Sequence, residues 1–188
     1  MNKVDVKIID DFLPESLFLE LYKFTAQIKW INSLQYLPEL CVNIDIGIPE
    51  VPEIHNNQFV YSVFKDGKFF DIQINEDFVF HFVEYLENRL NSIQLLNMKF
   101  NLSAPLDSQY TFGWHKDIKH FSHISAYKTA ILYLNENDGY TALEDGTKIN
   151  SIGNRLVIFN GNTYHAPVNA TNIRNRLVLN INYLEGES

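Results

Sequence analysis

The sequence predicts an α+β, mainly β domain, with helices first and short strands after them. Two observations predict it. Helical apolar spacing is confined to the first half, where Leu17, Leu21, Phe24 and Ile28, and later Val79, Phe82, Val83, Leu86 and Leu90, recur at three- and four-residue steps. From about residue 97 the chain changes to short β-rich runs, MKFNLSA, KTAILYLN, YTALED, KINSI, RLVIFN and RLVLNINYL, broken by DGY, EDG and NGN. Helices followed by a run of strands imply helices packed on one face of a β-sandwich or barrel.

Element by element, VDVKII (4–9) alternates apolar and polar and predicts a strand. A helix follows to about Trp30, with Asp10 or Asp11 near its cap, Pro14 early and Glu15 close behind. Residues 31–57, with Pro38, Pro49 and Pro52, read as irregular connection with one short strand. FVYSVFKDGKFFDIQI (59–74) holds KDGK between two β-rich runs, a hairpin signal. NEDFVFHFVEYLENRL (75–90) predicts a helix capped by Asn75. No repeat, low-complexity run or linker divides the chain, so residues 1–188 are expected to form one domain.

Composition narrows the function classes. Apolar residues make up 46% of the 188, with 14 Phe and 10 Tyr, enough for one sizeable core. The net charge of −8 repels phosphate backbones, so nucleic acid is not expected as a partner. Cys41 is the single cysteine, which removes intrachain disulfides and thiolate zinc sites and reads as a buried apolar residue. No stretch reaches the roughly 18 apolar residues of a membrane span, and the N-terminus lacks a secretory pattern. A soluble, cytoplasmic protein is expected.

Three histidines crowd FGWHKDIKHFSHIS (112–125). In a strand, residues i and i+2 share a side, so His115 and Asp117 can present an imidazole and a carboxylate to one point. That tripeptide alone reads as a surface turn. A third residue changes the reading: His165, in YHAPV, lies between two strong strand signals. Two neutral imidazoles and a carboxylate on one face of a metal form the facial triad of non-haem Fe(II) oxygenases. Arg176 then opens the last strand, and a buried guanidinium needs an anion, which a dicarboxylate co-substrate supplies. Arg174 is the competing clamp.

Together these features resemble the Fe(II)- and 2-oxoglutarate-dependent dioxygenases. The phrases WHKD, ILYLNENDGYT, NRLVIFNGNTYHAPV and RLVLNINY carry the likeness from about 98 to 184, and IIDDFLPESL carries it loosely at the start. The likeness is to the prolyl-4-hydroxylase-like branch, phage and marine bacterial members included. It implies a double-stranded β-helix (jelly-roll) core over about 97–184 with helical support over about 10–92. It implies that His115, Asp117 and His165 ligate iron and that Arg176 binds the distal carboxylate of 2-oxoglutarate. Tyr133 matches a tyrosine that bonds the same carboxylate, and Asn180, on the strand face of Arg176, is a further co-substrate contact. The implied reaction takes Fe(II), 2-oxoglutarate and molecular oxygen, with ascorbate as a reductant. It hydroxylates a peptidyl prolyl or small-molecule substrate and releases succinate and carbon dioxide.

Two departures from the branch are visible. Gly139-Tyr140 stands where Gly-Gly is common, and Asn182 replaces an aromatic residue near the end of the last strand. Both are expected to alter the substrate mouth and leave the metal set untouched. Asn182 also stands where the nucleic-acid demethylases of this class carry a second arginine. His120 and His123 read as polar loop residues after a strand, and a loop placed directly after H-x-D leaves His120, His123 or Tyr127 as an option for substrate contact at the mouth. His55 and His81 read as ordinary residues, Arg155 as a surface ion pair, and Trp114 as either packing or a substrate platform. The alternative function is a non-redox jelly-roll module that binds a ligand or builds a particle. A cupin-like lyase or isomerase would need H-x-H plus glutamate, which is absent.

Overall fold

The computed structural model describes residues 3–34, 41–52, 55, 57–70, 75–121, 124–172 and 174–187. It is mainly β, with two helices and antiparallel sheets. The strands are β1 (Val6–Ile9), β2 (Ile31–Leu34), β3 (Asn57–Lys65), β4 (Lys68–Phe69), β5 (Ser92–Ser103), β6 (Tyr127–Tyr133), β7 (Tyr140–Leu143), β8 (Lys148–Asn150), β9 (Arg155–Asn160), β10 (His165–Val168) and β11 (Arg176–Glu185). The helices are α1 (Glu15–Thr25) and α2 (Glu76–Leu90). The larger sheet runs β1-β9-β6-β11-β5-β3-β2, with β4 attached to β3, and the smaller runs β10-β7-β8.

Strand alternation gives the larger sheet two different faces. One face carries Phe100, Leu132, Leu156, Leu179 and Ile181 into a single apolar cluster with Leu21 and Phe24 of α1 and Val79, Phe82 and Leu86 of α2. Phe24 stands at its centre, with ring centroids 5.5 Å from Phe78 and 5.8 Å from Phe100. Burying each such side chain contributes about 1.5–3 kcal/mol. On the opposite face Ile131, Tyr133, Val157, Phe159 and Val178 meet Leu143 and Ile149 of the smaller sheet. Beyond that contact the two sheets part and leave a cavity.

Several local expectations change. Helix α1 stops at Thr25, short of Trp30, where the Thr25 hydroxyl donates to the Tyr22 carbonyl at 2.7 Å and competes with the next helical bond. Pro14, not an aspartate, occupies the N-cap. Asp10 instead accepts two hydrogen bonds from Arg155 at 2.6 and 2.9 Å, the surface ion pair expected for that arginine. Asn75 is at the N-cap of α2, but its side chain makes no capping bond. The KDGK hairpin forms with Asp66 and Gly67 both at positive φ, as a tight two-residue turn requires. The expected second strand shortens to Lys68–Phe69, and its continuation at 71–74 lies outside the described residues. Among the described residues no helix is long and apolar enough to cross a membrane.

Candidate metal centre

His115 and His165 are held side by side by the backbone. Each amide N–H donates to the other's carbonyl, at 3.0 and 3.1 Å, closing an antiparallel bridge between the segment before His115 and the start of β10. The two imidazole centroids lie 4.7 Å apart. His115 Nδ1 lies 3.0 Å from the Gly113 carbonyl, and His165 Nδ1 lies 3.3 Å from the Thr163 carbonyl. A carbonyl only accepts, so each Nδ1 carries a proton, and in the neutral ring Nε2 is the atom left to bind a metal. Gly113 makes this possible with φ 79, in the left-handed region that favours glycine.

Both Nε2 atoms face Asp117, at 3.7 Å from His115 and 3.8 Å from His165. The three donor atoms lie within 4.8 Å of one another. Asp117 is held from the far side by β6 and β11. Its carboxylate accepts hydrogen bonds from Asn182 Nδ2 at 2.9 Å, Thr129 Oγ1 at 3.2 Å and Asn180 Nδ2 at 3.4 Å. Burial pushes the carboxyl pKa up. His165, His115 and Lys99, with the Asn182 hydrogen bond, outweigh burial and hold it well below the usual carboxylate range. Burial drives His165 down to about 4, against the opposing pull of Asp117. At neutral pH Asp117 is therefore charged and His165 neutral, the forms in which these groups bind metal.

The trio lines a cavity of about 740 Å³, and Arg176, Asn180 and Asn182 line it too. Arg176 is only 4% exposed. Its Nη2 donates to Thr141 Oγ1 at 2.9 Å, its guanidinium lies 5.6 Å from the Tyr133 ring centroid, and its Nε has no hydrogen-bond partner among the described residues. Among the described residues no carboxylate pairs with it. Tyr133 is fully buried, and its hydroxyl donates to Thr141 Oγ1 at 2.7 Å. Burial pushes Tyr133 up and Arg176 down, while each partly offsets the other's shift. Burying a guanidinium without an anionic partner is costly. Arg174, the competing clamp, is exposed.

The other expectations sort by burial. Trp114 is a packing residue, 1% exposed against Tyr140, Ala166 and Val168. His120 lines the cavity from a short 3₁₀ turn, while Tyr127 is buried against Leu96 and Ile118, which removes it as an option for substrate contact. His123 lies outside the described residues. His55 and His81 are exposed, and neither lines the cavity. Cys41 is half-buried on the cavity wall, not sunk in the core as its apolar character predicted. Tyr140 is buried away from the mouth, and Gly139 is needed beside it, because a Cβ there would meet the Val168 carbonyl at 2.8 Å. Asn182 corrects a second expectation, since it bonds Asp117 directly. Thr129, Thr141 and Lys99 complete the surroundings, and the sequence reading missed all three. For Asn182 a signal existed: polar residues at alternate positions in an apolar strand must point at something polar.

No family model and no curated protein matches this sequence. Solved structures do match. A Pseudomonas putida prolyl-4-hydroxylase aligns over 98% of this chain and 95% of its own, at 16% identity and TM-score 0.57. A Burkholderia pseudomallei oxidoreductase of the 2-oxoglutarate–Fe(II) oxygenase family aligns over 97% and 86%, at 9% identity and TM-score 0.67. The chain has the fold of the 2-oxoglutarate–Fe(II) oxygenases. Within that oxygenase fold, HygX from Streptomyces hygroscopicus, with nickel and 2-oxoglutarate bound, aligns over 97% and 83%, at 12% identity and TM-score 0.60.

Proposed function

We propose that this protein is an Fe(II)- and 2-oxoglutarate-dependent dioxygenase that hydroxylates a peptide or small-molecule substrate. One observation carries the reading: a His-Asp-His trio and a buried arginine, with no anion beside it among the described residues, line the same cavity. The donor set suits the metal, since two imidazole nitrogens and one carboxylate leave positions open for other ligands. The strand order supports the finer fold, with β9-β6-β11-β5 and β10-β7-β8 as the two sheets of a double-stranded β-helix and α1 and α2 as support.

In this reading His115, Asp117 and His165 hold the metal, and bound Fe(II) supplies the dioxygen and one-electron chemistry. The Gly113 and Thr163 carbonyls fix the two rings, and Asn182, Thr129 and Asn180 orient the carboxylate. Arg176 pairs with the carboxylate of 2-oxoglutarate remote from the metal, which gives its unpartnered Nε an acceptor. Tyr133 and Thr141 present their hydroxyls beside that guanidinium. Asn180 serves Asp117 with its amide N–H, while its Oδ1, without a partner among the described residues, remains for a bound molecule.

The test is release of succinate and carbon dioxide from 2-oxoglutarate by protein loaded anaerobically with Fe(II) and then exposed to oxygen. His115→Ala is expected to lose metal affinity by more than about 100-fold, since loss of an outer partner alone costs about 10–100-fold. A wild-type protein that neither binds nor consumes 2-oxoglutarate would sink the proposal.

A further inference from the structure

We propose that Lys99 anchors the carboxylate of the primary substrate, and that this substrate is a free amino acid or a close relative. The inference rests on the oxygenase reading above and extends it to the substrate.

Strand β5 turns Asn97, Lys99 and Asn101 into the cavity and Met98 and Phe100 into the core. Across the sheet Lys99 stands opposite Asn180 of β11 and Ser62 of β3. Directly opposed residues have Cβ atoms about 5 Å apart. Asn180 bonds Asp117, so Lys99 is one strand removed from the metal trio.

Charge singles Lys99 out among the cations of the lining. Arg176 is taken by the co-substrate in this reading. Lys65 lies 5.6 Å from the Phe70 ring centroid and Lys116 lies 4.5 Å from that of Tyr164. Among the described residues Lys99 has no such ring and no carboxylate at ion-pair distance. The chain as a whole carries −8, so an acid enters this cavity only if a local cation receives it.

A second orphan lies beside the first. Asn101 Oδ1 is buried without a hydrogen-bond partner among the described residues, two residues from Lys99 on the same strand face. It is an acceptor that requires a donor. A free amino acid offers both complements, a carboxylate for the ammonium of Lys99 and an N–H for the Asn101 carbonyl. The backbone of an internal peptide segment offers no carboxylate there, and an uncharged small molecule offers none at all.

The experiment is calorimetric titration of protein loaded with Zn(II) and 2-oxoglutarate, using the standard L-amino acids and their carboxamides. At least one free acid is expected to bind, with its carboxamide about tenfold weaker or worse, the scale of one charge-assisted hydrogen bond. Lys99→Met should erase that acid-over-amide preference, and Lys99→Arg should keep it. No binding by any member of the panel overturns the inference, as does equal binding of acid and amide. Collapse of 2-oxoglutarate affinity in Lys99→Met would reassign the lysine to the co-substrate and overturn it too. Failure of the wild-type protein to take up 2-oxoglutarate in the first titration strikes the oxygenase reading instead, and so is distinguishable.

Discussion

The two faces of β11 do opposite work with the same backbone. Leu177, Leu179, Ile181 and Tyr183 point toward the helices and join the main apolar cluster. Arg176, Val178, Asn180 and Asn182 point into the cavity. The first set is held by packing and is indifferent to charge. The second set buries polar groups whose partners are a carboxylate, a hydroxyl or nothing in the protein. Burial is nearly complete on both faces, so burial cannot tell a core residue from a site residue here. The unsatisfied hydrogen-bonding capacity of the inner face can.

Mutations on the two faces should therefore separate stability from ligand binding. Leu179→Ala, on the outer face, is expected to cost about 2–5 kcal/mol in chemical denaturation and to leave the metal affinity of the folded protein unchanged. An equal loss of metal affinity would show that the faces are coupled. Acid attacks the inner side. His165 is neutral in the fold with a pKa of about 4, against an ordinary 6.5, so the unfolded chain binds more protons between those values. Its contribution is present above pH 6.5 and is lost as pH falls toward 4, roughly 3 kcal/mol in the metal-free protein. Thermal melts across that window should show the decline, and His165→Asn should flatten it.

Smaller effects sharpen the contrast. Arg176→Met is expected to hold or slightly raise the stability of the ligand-free protein, because a desolvated unpaired charge is removed. The same change should lower 2-oxoglutarate affinity about 10–100-fold by calorimetry. A destabilised fold with intact affinity would reverse the assignment. Asn182→Ala, which removes the hydrogen bonds to Asp117 and Thr129, should weaken metal binding by about tenfold in a calorimetric titration of the folded protein.

This asymmetry also explains what could be read from residues alone. Period-two alternation within RLVLNINYL marks a strand, and the apolar half of the alternation locates its core face. The spacing from His115 through Asp117 to His165 is legible because the chemistry of three donors restricts the residue types. The partners of Asp117 are not legible in that way. Asn182 meets Asp117 and Thr129 because β11 and β6 pair in a register that sets Asn182 opposite Thr129. Register is a property of two strands at once, and no local pattern in either one states it. Helix α1 shows the reverse failure. Its periodicity continues to Ile28, which is buried, although the helix has already ended at Thr25.

The reciprocal backbone bonds between His115 and His165 have a consequence for assembly. The segment they enclose contains β6, β7, β8 and β9, so those two amides meet only after four strands have been laid into two sheets. Contacts that close so long a loop form late, because chain entropy must first be spent on everything between them. A metal ion placed on this pair binds the finished chain far better than any partial one. It would draw the folding equilibrium toward completion by mass action.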